Sequence, residues 1–332
     1  MTTAKFRRHG VLAVLTALVA TLTACGSGPS RVNSAVIVDG STSISVDTVQ
    51  GLVEKVVREQ PAARPLAQQR KLDLVAREAV SQLVVHELIT DAAREEDITV
   101  SREELSRALS GNPFGDELPD DGSVPPEALA SQLVYRARDQ REAVIDQLLL
   151  AQLAAKYYQR LQITMDFTVI SGDQTGGDPS SMREQAEDKA RQFAADPDKV
   201  GDLIAKDTEA GVNASEGAEF AALQDPALAS TVMFGAEEGS VVAFEPSPGQ
   251  ALWVVGLIRS RDTDASPEVA EQPQVEPEQL VAIGRRFLQP YAEETSIEVS
   301  PRYGVWDLAA MGVAPSDDET VGLVLTPENA SQ

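Results

Sequence analysis

The chain has 332 residues, and its 52 acidic and 28 basic side chains give a formal net charge of −24. Such an acidic surface repels polyanions, so we exclude nucleic-acid binding. The chain has one cysteine, which excludes an internal disulfide.

The first 25 residues have the pattern of a bacterial export signal. Three basic residues within positions 5–8 precede an uncharged, mainly apolar run over 11–22, the order found in secretory signals. A run of about 12 residues is shorter than the roughly 20 that a membrane-spanning helix needs. The segment Leu22-Thr23-Ala24-Cys25 resembles the lipobox, in which the cysteine is diacylated and becomes the new N-terminus.

These features predict a signal peptide over 1–24, lipidation of Cys25 and a polar tether over 25–34. Two acyl chains anchor a protein stably, whereas one does not. Ten tether residues reach at most about 35 Å. We therefore expect a lipoprotein held by its acyl chains at the extracytoplasmic face of the cell membrane.

The first half of the mature chain is predicted to be mainly helical. Two short strands, at 35–39 and 43–46, precede a helix whose apolar residues recur at i, i+3 and i+4 from Val46 to just before Pro61. Further helices are predicted at 68–96, after a Ser101/Glu104 capping box, and from the end of the loop 112–127 to about Leu161.

The pattern changes at Ile163. Strands are predicted at 166–170, 250–258 and 296–299, and helices at 181–195, 198–206, 225–234 and 278–293. The acidic, proline-containing stretch between the strand at 250–258 and the helix at 278–293 is predicted to be a linker. The fold class is therefore α+β, with a helical domain over 35–162, a smaller α+β domain over 163–262, a linker over 263–277, a C-terminal helix and strand over 278–310, and a poorly patterned tail over 311–332.

This order of elements resembles the SurA/PrsA group of envelope chaperones, in which a helical chaperone domain carries a parvulin prolyl-isomerase domain. The segments 36–40, 97–101 and 297–299 are similar to the group's N-terminal entry, capped helix and returning C-terminal strand. The resemblance implies that the C-terminal helix and strand pack on the N-terminal domain.

The parvulin resemblance rests on three short segments. Residues 215–220 resemble the glycine-rich turn of that family, 234–239 the Phe-x-Leu-x-x-Gly step, and 249–255 a late strand. The two active-site histidines of parvulins are expected at 166–168 and near Ala251, where this chain has none.

The apolar residues that seat proline in parvulins correspond to Gly217, Asp225 and Ala229. An isomerase must bind the twisted X-Pro bond better than the planar one, against a barrier of about 18–20 kcal/mol. An aspartate and two small residues supply no apolar seat for it, so the resemblance implies a degenerate domain that has lost catalysis.

Other chemistry has little support in the sequence. His86 stands beside Glu87 without zinc-motif partners, so we interpret it as a packed or solvent-facing histidine. We predict no catalytic residue, no metal and no cofactor. The aromatic segment 301–306 is interpreted as packing against the helical domain, with contact to a client as the alternative.

The leading hypothesis is a lipid-anchored chaperone or scaffold for exported, partly unfolded polypeptides. The alternatives are an envelope lipoprotein that binds one specific protein, a solute-binding lipoprotein and an active prolyl isomerase. The sequence does not identify the polypeptide that would be bound.

Overall fold

The structure is a computed structural model that describes residues 32–172, 178–247, 252–267 and 274–325. Cys25, the predicted signal and most of the predicted tether lie outside the described residues. The described chain is mixed α+β, as predicted. Within those ranges, no helix combines the length and apolar character needed to cross a bilayer.

The described residues form six α-helices between positions 46 and 157 and six more between positions 179 and 294. They are Val46–Glu59 (α1), Arg64–Gln68 (α2), Leu72–Glu95 (α3), Arg102–Ser110 (α4), Pro126–Ala137 (α5), Gln140–Tyr157 (α6), Pro179–Ala195 (α7), Val200–Glu209 (α8), Pro226–Ala229 (α9), Val232–Gly235 (α10), Pro277–Arg286 (α11) and Gln289–Glu294 (α12).

The strands form three antiparallel sheets, ordered β2-β1-β7, β10-β5-β6-β3-β4 and β8-β9. They are Ser34–Val38 (β1), Thr42–Ser45 (β2), Gln162–Ser171 (β3), Ala214–Ala221 (β4), Val241–Phe244 (β5), Leu252–Asp262 (β6), Ile297–Val299 (β7), Val305–Asp307 (β8), Gly312–Ala314 (β9) and Gly322–Leu325 (β10).

Local sequence signals near the N-terminus are confirmed. The Ser45 hydroxyl accepts a hydrogen bond from the Thr48 N–H at 3.0 Å and caps α1. Ser101 and Glu104 form the predicted capping box at α4, with bonds of 3.2 and 2.9 Å. Each cap satisfies N–H groups that the first helical turn leaves unpaired.

The single long helix predicted up to Leu161 is wrong, because α5 and α6 are separate. Arg138 has an extended backbone between them, and the Asp139 carboxylate caps α6 by accepting two backbone N–H groups of its first turn. The break turns the Arg138 guanidinium inward, where its Nη2 donates to Asp146 at 2.6 Å.

Two shorter predicted helices are also each divided. The prediction over 225–234 becomes α9 and α10, because the Ser230 and Thr231 hydroxyls bond back to carbonyls of α9 and end it. The prediction over 278–293 becomes α11 and α12, with Pro290 in the first turn of α12. Proline has no N–H to continue a preceding helix.

Strand β7 returns to the first strand of the described residues. It pairs with β1, placing Val36 opposite Val299, and every residue of β1 is buried. The predicted strand at 296–299 is thus present, and its pairing joins the segment after α12 to β1.

The five-stranded sheet takes one edge strand from beyond the predicted domain boundary. Residues 322–325, within the predicted tail 311–332, form β10 and pair with β5, with Leu323 opposite Ala243. Residues 311–325 are therefore part of the folded body. Four apolar residues carry too little periodicity to predict this strand without its partner.

The two faces of this sheet belong to different cores. One face packs on α7 and α8 through residues that include Met182, Phe193 and Trp253. The opposite face, which includes Phe244, belongs to the same apolar cluster as the buried residues of α1, α3, α5 and α6. The segment 163–262 therefore shares its core with the helical segment 35–162.

Arg286, at the end of α11, joins three parts of the chain. Its side chain donates to Ser230 O at 3.1 Å, Gln289 Oε1 at 2.8 Å and Ala309 O at 2.7 Å. Burial lowers its pKa to about 10, so it remains charged at neutral pH. A buried guanidinium needs such acceptors, because an unpaired buried charge is strongly destabilising.

Glu293 extends this network on α12. Gln289 Nε2 donates to its carboxylate at 2.8 Å. Burial raises the pKa of Glu293 to about 7, and the nearby Glu237 carboxylate also raises it. Arg261 and Arg286 lower this pKa, but by less than burial raises it. The network around Arg286 therefore contains a carboxyl group whose pKa is near neutrality.

Helix α11 packs on α6 at backbone distance through Gly284. A Cβ on this residue would lie 1.9 Å from the Leu150 carbonyl oxygen. The two helices could accommodate it only by moving apart.

We expect Gly284→Ala to lower the free energy of unfolding by at least about 2 kcal/mol, because overpacking outweighs the gain of up to about 1 kcal/mol in helix propensity. Urea unfolding measures the change. Gly51→Ala is the matched control: Gly51 lies in α1 with no atom within 4 Å of the added Cβ, so it should stabilise by about 0.5–1 kcal/mol. Equal effects at the two sites would contradict the close contact.

Candidate functional site

The position expected to begin the parvulin active site holds a structural carboxylate. Asp166 on β3 is 5% exposed and accepts the Gly217 N–H at 2.7 Å and Arg259 Nε at 2.6 Å. These bonds connect the neighbouring strands β4, β3 and β6. Both oxygens are thus committed to holding the sheet together.

The positions that correspond to the proline seat are also structural. Gly217 has a φ of +60°, a conformation that favours glycine. Asp225 caps α9 by accepting two backbone N–H groups, and Ala229 is fully buried. Ala251, near the second expected histidine, lies outside the described residues.

The helical part of the molecule contains a cavity of about 500 Å³ between α3, α5, α6, α11 and the loop 113–115. This volume lies within the range of about 300–1,000 Å³ typical of ligand sites. The cavity combines apolar and aromatic residues with amides and charged groups. Its apolar and aromatic residues are Val85, Pro113, Phe114, Tyr135, Leu150 and Val281. Its amides belong to Gln82, Gln132 and Gln147.

Glu78 is a carboxylate of this cavity that is held by hydrogen bonds from neutral groups. Its Oε1 accepts hydrogen bonds from Gln82 Nε2 at 2.8 Å and from the Ser131 hydroxyl at 2.9 Å. Gln82 Nε2 also donates to the Ser131 carbonyl at 3.0 Å. Helices α3 and α5 therefore hold the carboxylate with neutral donors, and Glu78 forms no ion pair with the residues that the structure describes.

The loop at the rim of the cavity is held by α5. Arg136 Nη2 donates to the Phe114 and Asp116 carbonyls. The Phe114 and Tyr135 rings meet edge to face with centroids 5.1 Å apart, a favoured aromatic geometry. The rim therefore has a defined conformation that places an aromatic pair in the cavity wall.

The His86 side chain is 30% exposed, in keeping with its interpretation as a packed or solvent-facing histidine, and it has a partner that no sequence motif indicates. Its Nδ1 lies 2.8 Å from Asp146 Oδ1, and Arg138 donates to the other oxygen of the same carboxylate at 2.6 Å. The hydrogen bond to Asp146 raises the pKa of His86, although burial and the nearby Arg138 lower it. Asp146 is 3% exposed, and it lines the cavity together with Arg138, so this part of the cavity wall is an ionic network whose members bond to one another.

No sequence motif predicts the cavity or the hydrogen-bond network of His86, Asp146 and Arg138. Glu78 and Gln82 share the i, i+4 spacing that brings helical side chains together, which is the one local signal. Ser131 and Asp146 reach their partners only through the tertiary packing of α5 and α6 on α3.

The aromatic segment 301–306 packs as interpreted. Tyr303 is 5% exposed, and its hydroxyl accepts a hydrogen bond from Gln50 Nε2 at 3.3 Å. Trp306 packs against the main core.

Among the described residues, no group of three or more histidine, cysteine, aspartate and glutamate side chains is placed to hold a metal ion. Comparison of the chain with protein-family models, curated proteins and solved structures found no match. The cavity residues therefore have to be interpreted from their own chemistry.

We expect the His86–Asp146 pair to make stability depend on pH. Because the folded pKa of His86 is raised, its stabilising contribution is complete below about pH 6.5, the unfolded value, and is lost as the pH rises through the folded pKa. His86→Gln keeps a hydrogen-bond donor without a titrating charge.

The free energy of unfolding of wild type minus that of His86→Gln should therefore be largest near pH 5.5 and fall as the pH approaches 8.5. Urea titrations at a series of pH values measure this difference. A difference that rises with pH would contradict the assigned pair.

Proposed function

We propose that this protein is a lipid-anchored, extracytoplasmic chaperone or scaffold, similar to the SurA/PrsA group, that binds exported, partly unfolded polypeptides without prolyl isomerase activity. The observation that carries the proposal is the cavity of about 500 Å³ in the helical body, which offers apolar walls together with amide and charged groups.

A polypeptide segment matches this mixture of groups. Its side chains bring apolar surface to Val85, Leu150 and Val281, and its backbone brings amide donors and acceptors to the glutamine side chains. Binding sites use a few placed polar groups within an apolar wall in this way.

The loss of catalysis is supported by what stands at the expected active-site positions. Asp166 is paired with Arg259, Asp225 caps a helix, and Gly217 has a positive φ within β4 that favours glycine. None of these residues offers an apolar seat for proline.

The anchor is supported by the export signal and by Cys25. The described body begins at residue 32, a few residues after the proposed lipidated cysteine. A tether of this length keeps the cavity within tens of ångströms of the membrane, where exported chains emerge.

Under this proposal the protein should at least halve the aggregation of a reduced, unfolding model client at equimolar concentration, because it occupies exposed segments. It should leave the rate of a proline-limited refolding step within about 20% of the uncatalysed rate, since it lacks the means to lower that barrier. Light scattering measures the first effect and refolding fluorescence the second.

Gln132→Trp, which fills the cavity from an exposed lining position, should reduce the suppression of aggregation. Gln140→Trp is the control, since Gln140 is exposed but does not line the cavity.

Clear acceleration of refolding would refute the loss of catalysis. Capture of one stoichiometric envelope protein, without any effect on model clients, would favour a specific interaction lipoprotein instead.

A further inference from the structure

We infer that the cavity selects polypeptide segments that carry a lysine or arginine side chain, and that this side chain pairs with Glu78. The inference rests on the proposed function, because it names the client chemistry that the same cavity takes.

The first reason is the state of the Glu78 carboxylate. It is fixed by neutral donors, Gln82 and the Ser131 hydroxyl, which both bond to Oε1. Neutral donors orient the group but leave its negative charge uncompensated. A cation that reaches this site meets a preorganised acceptor, so little ordering cost opposes the charge-assisted bond.

The second reason is that the cations of the cavity are already engaged elsewhere. Arg138 pairs with Asp146, and Arg136 donates to the carbonyls of the rim loop. Arg285 Nη2 donates to Met311 O at 2.6 Å, while its buried Nε has no partner among the described residues. None of these guanidinium groups pairs with Glu78, so a cationic side chain of the ligand can supply its counter-ion.

The third reason is the surface around the carboxylate. Phe114 and Tyr135 line the same cavity as an aromatic pair, which suits the methylene stem and the charged head of lysine or arginine. The exposed Glu278 also lines the cavity. The net charge of −24 attracts basic segments over longer distances.

Fluorescence anisotropy with two labelled 12-residue peptides tests the inference on the full lipidated protein in detergent micelles. The peptides share one apolar sequence and differ only at a central residue, lysine in one and norleucine in the other. We expect the lysine peptide to bind on the order of tenfold more tightly at low salt, because a close charge pair forms in a partly desolvated site.

Glu78→Gln keeps the shape of the side chain and the acceptor for Gln82 and Ser131, and it removes the charge. It should lower the affinity for the lysine peptide to that for the norleucine peptide. The affinity for the norleucine peptide should change by less than twofold. The matched control is Glu184→Gln, which removes the same charge from an exposed position on α7, away from the cavity. It should change neither affinity by more than twofold.

Equal binding of the two peptides to wild type would overturn the inference, and so would an equal loss in Glu78→Gln and Glu184→Gln. If client aggregation is still suppressed in that case, the proposed function stands and only the lysine selectivity fails. If neither peptide binds and aggregation is unaffected, the proposed function fails and the selectivity fails with it.

Discussion

The position of α11 between the N-terminal helices and the segment that carries α9 and α10 depends on the hydrogen bonds of the buried Arg286. A charged guanidinium removed from water must keep its hydrogen bonds, or the fold loses several kcal/mol. Its acceptors come from the 230 loop, α12 and the turn at Ala309, so these three segments are fixed together. The packing around it is equally close: a Cβ on Gly235 would lie 2.4 Å from Gln289 Oε1. Helix α11, one wall of the cavity, is thereby held against the segment around Ser230 and the turn at Ala309.

The proposed binding function rests on two contrasting features. Asp166, at an expected active-site position, bonds across the strands to Gly217 and Arg259, so both of its carboxylate oxygens already have partners. Glu78 is oriented by neutral donors, forms no ion pair with the described residues and lines the same cavity as the Phe114–Tyr135 pair. We therefore propose that this cavity, and not the sheet, binds a partner.

The sequence predicts those features whose signals are local. The Ser101/Glu104 box, the apolar stripe of α1 and the alternation of β3 need only neighbouring residues, and each is present. At the break near Arg138 the only local signal is Asp139, which caps α6; the ion pair of Arg138 with Asp146 forms only when the two helices are folded. Strand β10 depends on β5 in the same way. Glu78 is one of 52 acidic residues, and only its tertiary neighbours distinguish it.

Hydrogen exchange of Arg286→Met tests most directly whether the helical body and the sheet fold as one unit. In wild type, the slowest amides of α6 and of β6 should share one opening free energy, as expected for a single cooperative unit. In the variant, which removes the donor from the four acceptors of the Arg286 side chain, we expect a loss of about 3 kcal/mol or more and different opening energies for α6 and β6. Arg285→Met, which removes a neighbouring guanidinium with one carbonyl partner, should keep them equal. A variant at Arg286 that retains a single opening energy within about 1 kcal/mol of wild type would contradict this account.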